Sequence, residues 1–198
     1  MPMPLILGSS DNIAERKKET CVALLPLSSD QVLKIKNKAN EETAVSSLVR
    51  ATRPYSRYEA ITAHIWRSGN KARNHDKQQP TIVRFLGDTR NRLKPPLPRN
   101  YFGNAVARML TPMCSSGEII SNPLGYAPRK YKKELTRLQR STRDFGWGKP
   151  LYMGPGILNE DGKTFILPSP SEDGSVIIAL RFQTAHMEAF QKFFYEDI

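Results

Sequence analysis

The chain has 198 residues, which fits one domain or one and a fraction. Its make-up, 39% hydrophobic and 25% charged, is that of a globular protein with enough apolar material for a core. The net charge is +11, from 30 Lys and Arg against 19 Asp and Glu, but the basic residues are dispersed through Arg16-Lys17-Lys18, Arg90 to Arg99 and Arg129 to Lys133. No run reaches the five or six like charges of a nucleic-acid tail, so the excess reads as a solvated basic surface that would also attract a phosphate-bearing ligand.

Residues 1–19 show no clear period and are read as a loose N-terminal segment, with one domain over 20–198. The opening MPMPLILGSS has no basic leader and too short an apolar patch for a signal peptide. No apolar run approaches the roughly 20 residues of a membrane span. Cys21 and Cys114 stand far apart, which fits a reducing compartment, and the protein is read as cytoplasmic. CVALLPL, 21–27, predicts a short buried strand. Ser28, Ser29 and Asp30 offer caps for a helix with Val32, Ile35 and Ala39 on one face. Residues 41–54 read as a polar loop ending at Arg53-Pro54.

Ser56 and Glu59 form a capping box that opens a helix to about Arg73, with Ile61, Ile65, Ser68 and Ala72 on one face. KARNHDKQQP is a polar loop. TIVRFLGD, 81–88, predicts one strand with Val83 and Phe85 on its apolar side. Lys94-Pro95-Pro96-Leu97-Pro98 must be extended, and a second strand is expected around 104–111. From Asn122 to about Arg140 the pattern is helical and very basic. LYMGP and KTFILPS read as strands joined through an Asp161-Gly162 turn, and Asp173-Gly174 turns the chain into SVIIALRF. Thr184 caps a last helix whose Met187, Phe190 and Phe194 form a core stripe. The sum is a mixed α/β chain with no glycine-rich phosphate loop, no paired-cysteine metal spacing and no internal repeat.

Four stretches carry a family resemblance: SRYEAITAHIWRSGNKAR, GDTRNRLKPPLPRNYFGN, DFGWGKPLYMGPG, and DGKTFILPSPSEDGSVIIALRFQTAHMEAFQKFFYEDI. In this order they resemble the C-terminal half of the plant BAHD acyl-CoA-dependent acyltransferases, in the hydroxycinnamoyl-CoA branch that acylates shikimate, quinate or polyamines. The resemblance implies a chloramphenicol acetyltransferase-like α/β fold, a mixed sheet flanked by helices, incomplete beside the family's two domains. It also implies acyl-CoA as co-substrate with a small alcohol or amine acceptor, and no resident cofactor, metal, nucleic acid or membrane. A histidine of a His-x-x-x-Asp motif serves the family as general base.

That base needs a neutral imidazole within reach of the acceptor, a role histidine fits because its ordinary pKa is about 6.5. Position i+4 holds Ser68 after His64, Gln79 after His75 and Phe190 after His186, so none has the Asp. His64 sits beside the Ile61 and Ile65 face and reads as a structural helix histidine; His75 lies in a polar loop and His186 in the first turn of the last helix. No catalytic residue is therefore assigned in this chain. A further departure is the absence of an insert of some tens of residues between the NPLGYA helix and the pentapeptide. Thr136-Arg137-Leu138 resembles the family's Thr-Arg-Leu, with Leu135 where Trp is usual, which makes Thr136 and Arg137 the substrate-facing candidates. The pentapeptide Asp144-Phe145-Gly146-Trp147-Gly148 is expected to be structural. Asp144 would pair with Arg90 first and Arg92 second, and Trp147 would fill a core gap. The expectation is an acyltransferase-family chain, truncated and inactive or nearly so alone. A non-catalytic module that binds CoA or docks on an enzyme is the alternative.

Overall fold

The computed structural model describes residues 5–6, 17–45, 53–90, 93, 95–98, 100–135, 158, 160–171 and 173–198. The strands are β1 (Leu5–Ile6), β2 (Thr20–Leu27), β3 (Pro80–Ile82), β4 (Arg84–Asp88), β5 (Val106–Leu110), β6 (Cys114–Ser115), β7 (Thr164–Pro168) and β8 (Val176–Gln183). The helices are α1 (Ser29–Val45), α2 (Arg57–Arg73), α3 (Ser116–Ser121), α4 (Tyr126–Leu135) and α5 (Thr184–Glu196).

α2 is the pivot. Its start is fixed by the capping box: Ser56 Oγ accepts from the Glu59 amide at 3.2 Å, and Glu59 Oε2 accepts from the Ser56 amide at 2.7 Å. Two of the orphan donors at the helix start are thereby satisfied. The helix ends at Asn74, which takes the left-handed conformation with φ 47°. Between its ends it is buried on nearly every side, from Ala60 and Ile61 through Trp66 to Ala72, as expected of a helix inside a core rather than on its surface. α1, α3, α4 and α5 all pack on it.

β2, β8 and β7 make an antiparallel sheet in that order, with Leu24 opposite Ala179 and Ile166 opposite Ile178. Alternation along the strands turns Leu25, Leu27, Ile178, Leu180 and Phe182 into the core. The stripe of α5 closes it. Phe190 lies 5.2 Å from Phe182 and 5.6 Å from Phe194 between ring centroids, and both α5 rings are fully buried. Each such ring contributes about 1.5–3 kcal/mol by leaving water. Both Asp-Gly turns are present: Gly162 and Gly174 adopt φ 76° and 92°, a region open to glycine.

Several expectations are corrected. TIVRFLGD is not one strand. β3 pairs with β1 and β6, whereas β4, among the described strands, pairs with β5, and Val83 marks the break. The cause lies at Val83, whose amide donates to Thr111 Oγ1 at 3.0 Å while its carbonyl accepts the Thr111 amide, pulling the chain toward β5. α1 runs on to Val45 through residues read as loop. The basic helix begins only at Tyr126, after Pro123. Thr184 does not cap α5; Gln183 is the N-cap, with no side-chain bond to the helix. Its amide is instead held by Asp161 Oδ1 at 3.0 Å. Leu5–Ile6 pair in parallel with β3.

Candidate functional site

The histidines decide what chemistry this chain can do. His64, on the core-facing side of α2, is 1% exposed. Its Nε2 lies 2.7 Å from the Phe194 carbonyl near the end of α5, and its ring packs 4.9 Å from the Phe194 ring. A carbonyl accepts, so Nε2 carries the proton. Burial depresses the pKa to about 4. The bond to Phe194 and the charge of Asp197 oppose that shift, while Lys38 and Arg67 reinforce it. The imidazole is therefore neutral at pH 7, as a base must be, yet no acceptor can reach it. It joins α2 to α5, as the sequence suggested. His75 is exposed on the loop after α2, and His186 is half-buried in the first turn of α5.

The other candidates divide between described and undescribed residues. Thr136, Arg137, Arg92, the pentapeptide Asp144–Gly148 and the expected strand LYMGP lie outside the described residues. α4 is described to Leu135, immediately before Thr136. Its start is tied to α3, since Tyr126 Oη donates to Glu118 Oε1 at 2.9 Å. Arg90 is described. Its Nη2 donates to the Gly103 carbonyl at 2.7 Å, and its own carbonyl accepts the Leu97 amide at 2.9 Å. Thr89 clasps the other end of the same loop, with amide and hydroxyl both 2.8 Å from the Ala105 carbonyl. Leu97 and Gly103 are thus both fastened to Arg90.

Two charged clusters were not singled out from sequence. Arg53 grips the buried Glu59 through Nη1 and Nη2 at 3.0 and 2.8 Å. Burial pushes the Glu59 carboxyl up, but Arg53 and Ser56 more than offset this, leaving its pKa lowered. Arg73 Nη2 lies 2.6 Å from Asp161 Oδ2, and its guanidinium sits 4.1 Å above the Phe182 ring. Arg73 and Asp161 are 88 positions apart in the chain, so no local spacing could have paired them. Cys21 and Cys114 are both free thiols, and burial pushes the Cys114 thiol up, away from nucleophile chemistry. Among the described residues no group of three His, Cys, Asp or Glu side chains could hold a metal ion, and no helix is long and apolar enough to cross a membrane.

Comparison with known proteins places this geometry. A family model described as Transferase family matches residues 3–143 and 137–197. The chain is 39% identical over 246 positions to hydroxycinnamoyl-CoA:piscidic acid hydroxycinnamoyltransferase of Actaea racemosa, covering 98% of this chain and 54% of that one. Shikimate O-hydroxycinnamoyltransferase of Nicotiana tabacum is 32% identical, with 98% and 53% covered. Among solved structures, TRI101 of F. graminearum complexed with coenzyme A and deoxynivalenol superposes with a TM-score of 0.71 at 18% identity, covering 89% of this chain and 48% of that one. Vinorine synthase superposes with a TM-score of 0.61 at 14% identity, with 86% and 46% covered.

The chain spans about half the length of the relatives it matches. An alignment of 246 positions against a chain of 198 residues leaves at least 48 positions without a counterpart here. The family model matches in two pieces that meet at 137–143, just where the sequence lacked the expected insert. With family model, relatives and fold in agreement, the chain belongs to the transferase family of plant BAHD acyltransferases, of which it holds a partial fold.

Proposed function

We propose that this chain supplies one wall of an acyl-transfer chamber, in which a hydroxycinnamoyl-type group passes from a CoA thioester to an alcohol or amine. The relation to hydroxycinnamoyltransferases over 98% of the chain supports the reaction class. The observation that carries the division of labour is His64. The helix histidine that might have served as base is locked to the Phe194 carbonyl inside the core. In the reaction the acceptor oxygen or nitrogen attacks the thioester carbonyl, its proton passes to a base, and the CoA thiolate leaves. On this reading the base is contributed from outside residues 1–198.

Thr136 and Arg137, following directly on α4, are the residues we assign to the substrate side. Asp144 to Gly148, with Arg90 and Arg92, form the structural support. Arg90 already fastens its own loop through Gly103, which suits a supporting rather than a reacting role. Acyl-CoA and a small acceptor are the ligands, with no resident cofactor and no nucleic-acid or membrane partner. We assign residues 20–198 to one domain and the cytoplasm as its compartment.

The test pairs binding with turnover. The chain should be retained on immobilised CoA and eluted by free CoA. With a hydroxycinnamoyl-CoA and shikimate, quinate or spermidine, its turnover should fall below that of an intact relative by at least about 10²–10⁴, the usual worth of a positioned base. Turnover matching the intact relative would refute the division of labour. Failure to bind CoA would refute the role itself.

A further inference from the structure

The chain holds two Asp-Gly pairs, Asp161-Gly162 and Asp173-Gly174, and no Asn-Gly pair. Both Asp-Gly pairs carry the same chemical liability, and the fold gives them opposite surroundings. In such a pair the glycine nitrogen can attack the side-chain carbon Cγ of the aspartate, because no glycine Cβ obstructs the approach. The ring that closes has five members, and its two reactants are already joined by the chain. Attack needs a glycine N–H that is not tied elsewhere and a carboxyl that can turn toward it.

At Asp161 neither condition is met. The Gly162 amide donates to the Arg181 carbonyl at 2.8 Å. Asp161 Oδ2 accepts from Arg73 Nη2 at 2.6 Å, and Oδ1 accepts from the Gln183 amide at 3.0 Å. Turning this carboxyl breaks charge-assisted bonds, which are roughly twice as strong as neutral ones, and strands an arginine that is 8% exposed. Asp173 differs on both counts. It is exposed, in the hairpin turn that joins β7 to β8. The backbone bond of that turn runs from the Ser169 amide to the Ser175 carbonyl at 3.1 Å, and no described residue accepts the Gly174 amide. Arg57 Nη1 holds the Gly174 carbonyl at 3.1 Å, on the far side of the residue from its nitrogen. Asp173 Oδ1 accepts from the Ser175 amide at 2.8 Å, from Ser171 Oγ at 3.0 Å and from Ser175 Oγ. The Ser175 and Ser171 bonds keep the carboxyl below the usual carboxylate range. They also gather donors on an oxygen that takes up negative charge when Cγ is attacked.

We propose that Asp173-Gly174 is a site of spontaneous backbone isomerisation in the folded chain, while the fold protects Asp161-Gly162. The Gly174 nitrogen attacks Cγ of the protonated Asp173 carboxyl and gives up its own proton. One carboxyl oxygen leaves as water, and a succinimide closes. Water then opens the ring. Breaking the bond from nitrogen to Cγ restores aspartate, and breaking the bond from nitrogen to the backbone carbonyl leaves isoaspartate. One water leaves and one returns, so no other reagent takes part. The product has one more carbon in its main chain, and its free carboxyl is the former backbone carbonyl. The modification therefore lengthens the turn that sets Pro168 opposite Val176 and moves the carboxyl that Ser171 and Ser175 hold.

The test is prolonged incubation of the full chain at pH 7, well below its melting transition, with a parallel sample in concentrated guanidinium chloride. Circular dichroism confirms that the first sample stays folded. Trypsin cuts after Lys163 and so puts the two pairs on separate peptides. Electron-transfer fragmentation then tells isoaspartate from aspartate, which have the same mass. In the folded chain isoaspartate should build up at 173 at least about tenfold faster than at 161, where charge-assisted bonds must first be released. In denaturant the two rates should converge. Asp173→Glu keeps the charge but would need a six-membered ring, and it should remove the signal from its peptide. Equal rates at 161 and 173 in the folded chain overturn the proposal. So does a rate at 173 that is at least about tenfold lower in the folded chain than in denaturant, which would mean that the turn protects this pair too. A signal that survives in the Asp173→Glu peptide overturns it as well.

Discussion

Lowering the pH from 7 to 5 tests the placement of His64 in the core. The imidazole is neutral in the fold because burial depresses its pKa to about 4, against 6.5 for an ordinary histidine. A base with a depressed folded pKa binds more protons when unfolded, so stability rises with pH between the two values and is lost as pH falls through that window. Between pH 7 and pH 5 this difference removes about 2 kcal/mol, and about 3 kcal/mol is gone once pH reaches the folded value. The carboxyls with depressed pKa values, Glu59, Glu118 and Asp173, act in a lower window. Their contribution is intact above the ordinary carboxyl range and disappears only as pH falls through their folded values, so they lie below the pH 5 to 7 window, and comparison with a His64 variant separates His64 from the other two histidines. The assay is urea unfolding of the wild type and of His64→Gln at several pH values. Glutamine keeps a donor for the Phe194 carbonyl but does not titrate. The variant should be less stable than the wild type at pH 7, because the ring contact with Phe194 is lost, and the gap should close by about 2 kcal/mol at pH 5. Equal pH slopes for both proteins would refute the buried, hydrogen-bonded histidine, and with it the argument that this chain holds no helix base.

Asp161→Ala should destabilise the protein by about 2–4 kcal/mol, measured by denaturant unfolding, because Arg73 is only 8% exposed and loses its ionic partner. The amide of Gln183 loses its acceptor in the same step, so Asp161→Asn, which can still accept there, should cost less. Glu59→Gln should cost about 2 kcal/mol in the same assay. It removes a charge that Arg53 grips bidentately, while the 43% exposure of Arg53 lets water relieve part of the loss.

Local patterns in the chain decided a large part of the fold. Ser56 and Glu59 announce the start of α2, since a capping box needs only residues three apart. Val32, Ile35 and Ala39 mark the buried face of α1, and Met187, Phe190 and Phe194 that of α5, because helical periodicity is a local property. The Asp-Gly turns follow from the freedom of glycine at positive φ. The family too was legible, from four motifs in fixed order. Tertiary structure decided the rest. Residues 81–88 look like one strand in sequence, yet Val83 splits them because Thr111, from a distant loop, competes for its backbone. Thr184 has the chemistry of a helix cap, but the strand-to-helix step puts Gln183 there and satisfies its amide from Asp161. Arg73 meets Asp161 only because the end of α2 comes to lie beside the Phe182 ring and the turn before β7. The sealing of His64 depends on how α5 docks on α2, which no spacing around residue 64 could express. Periodicity and capping act over a few residues, whereas burial and charge pairing are settled by which surfaces come together once the chain has packed.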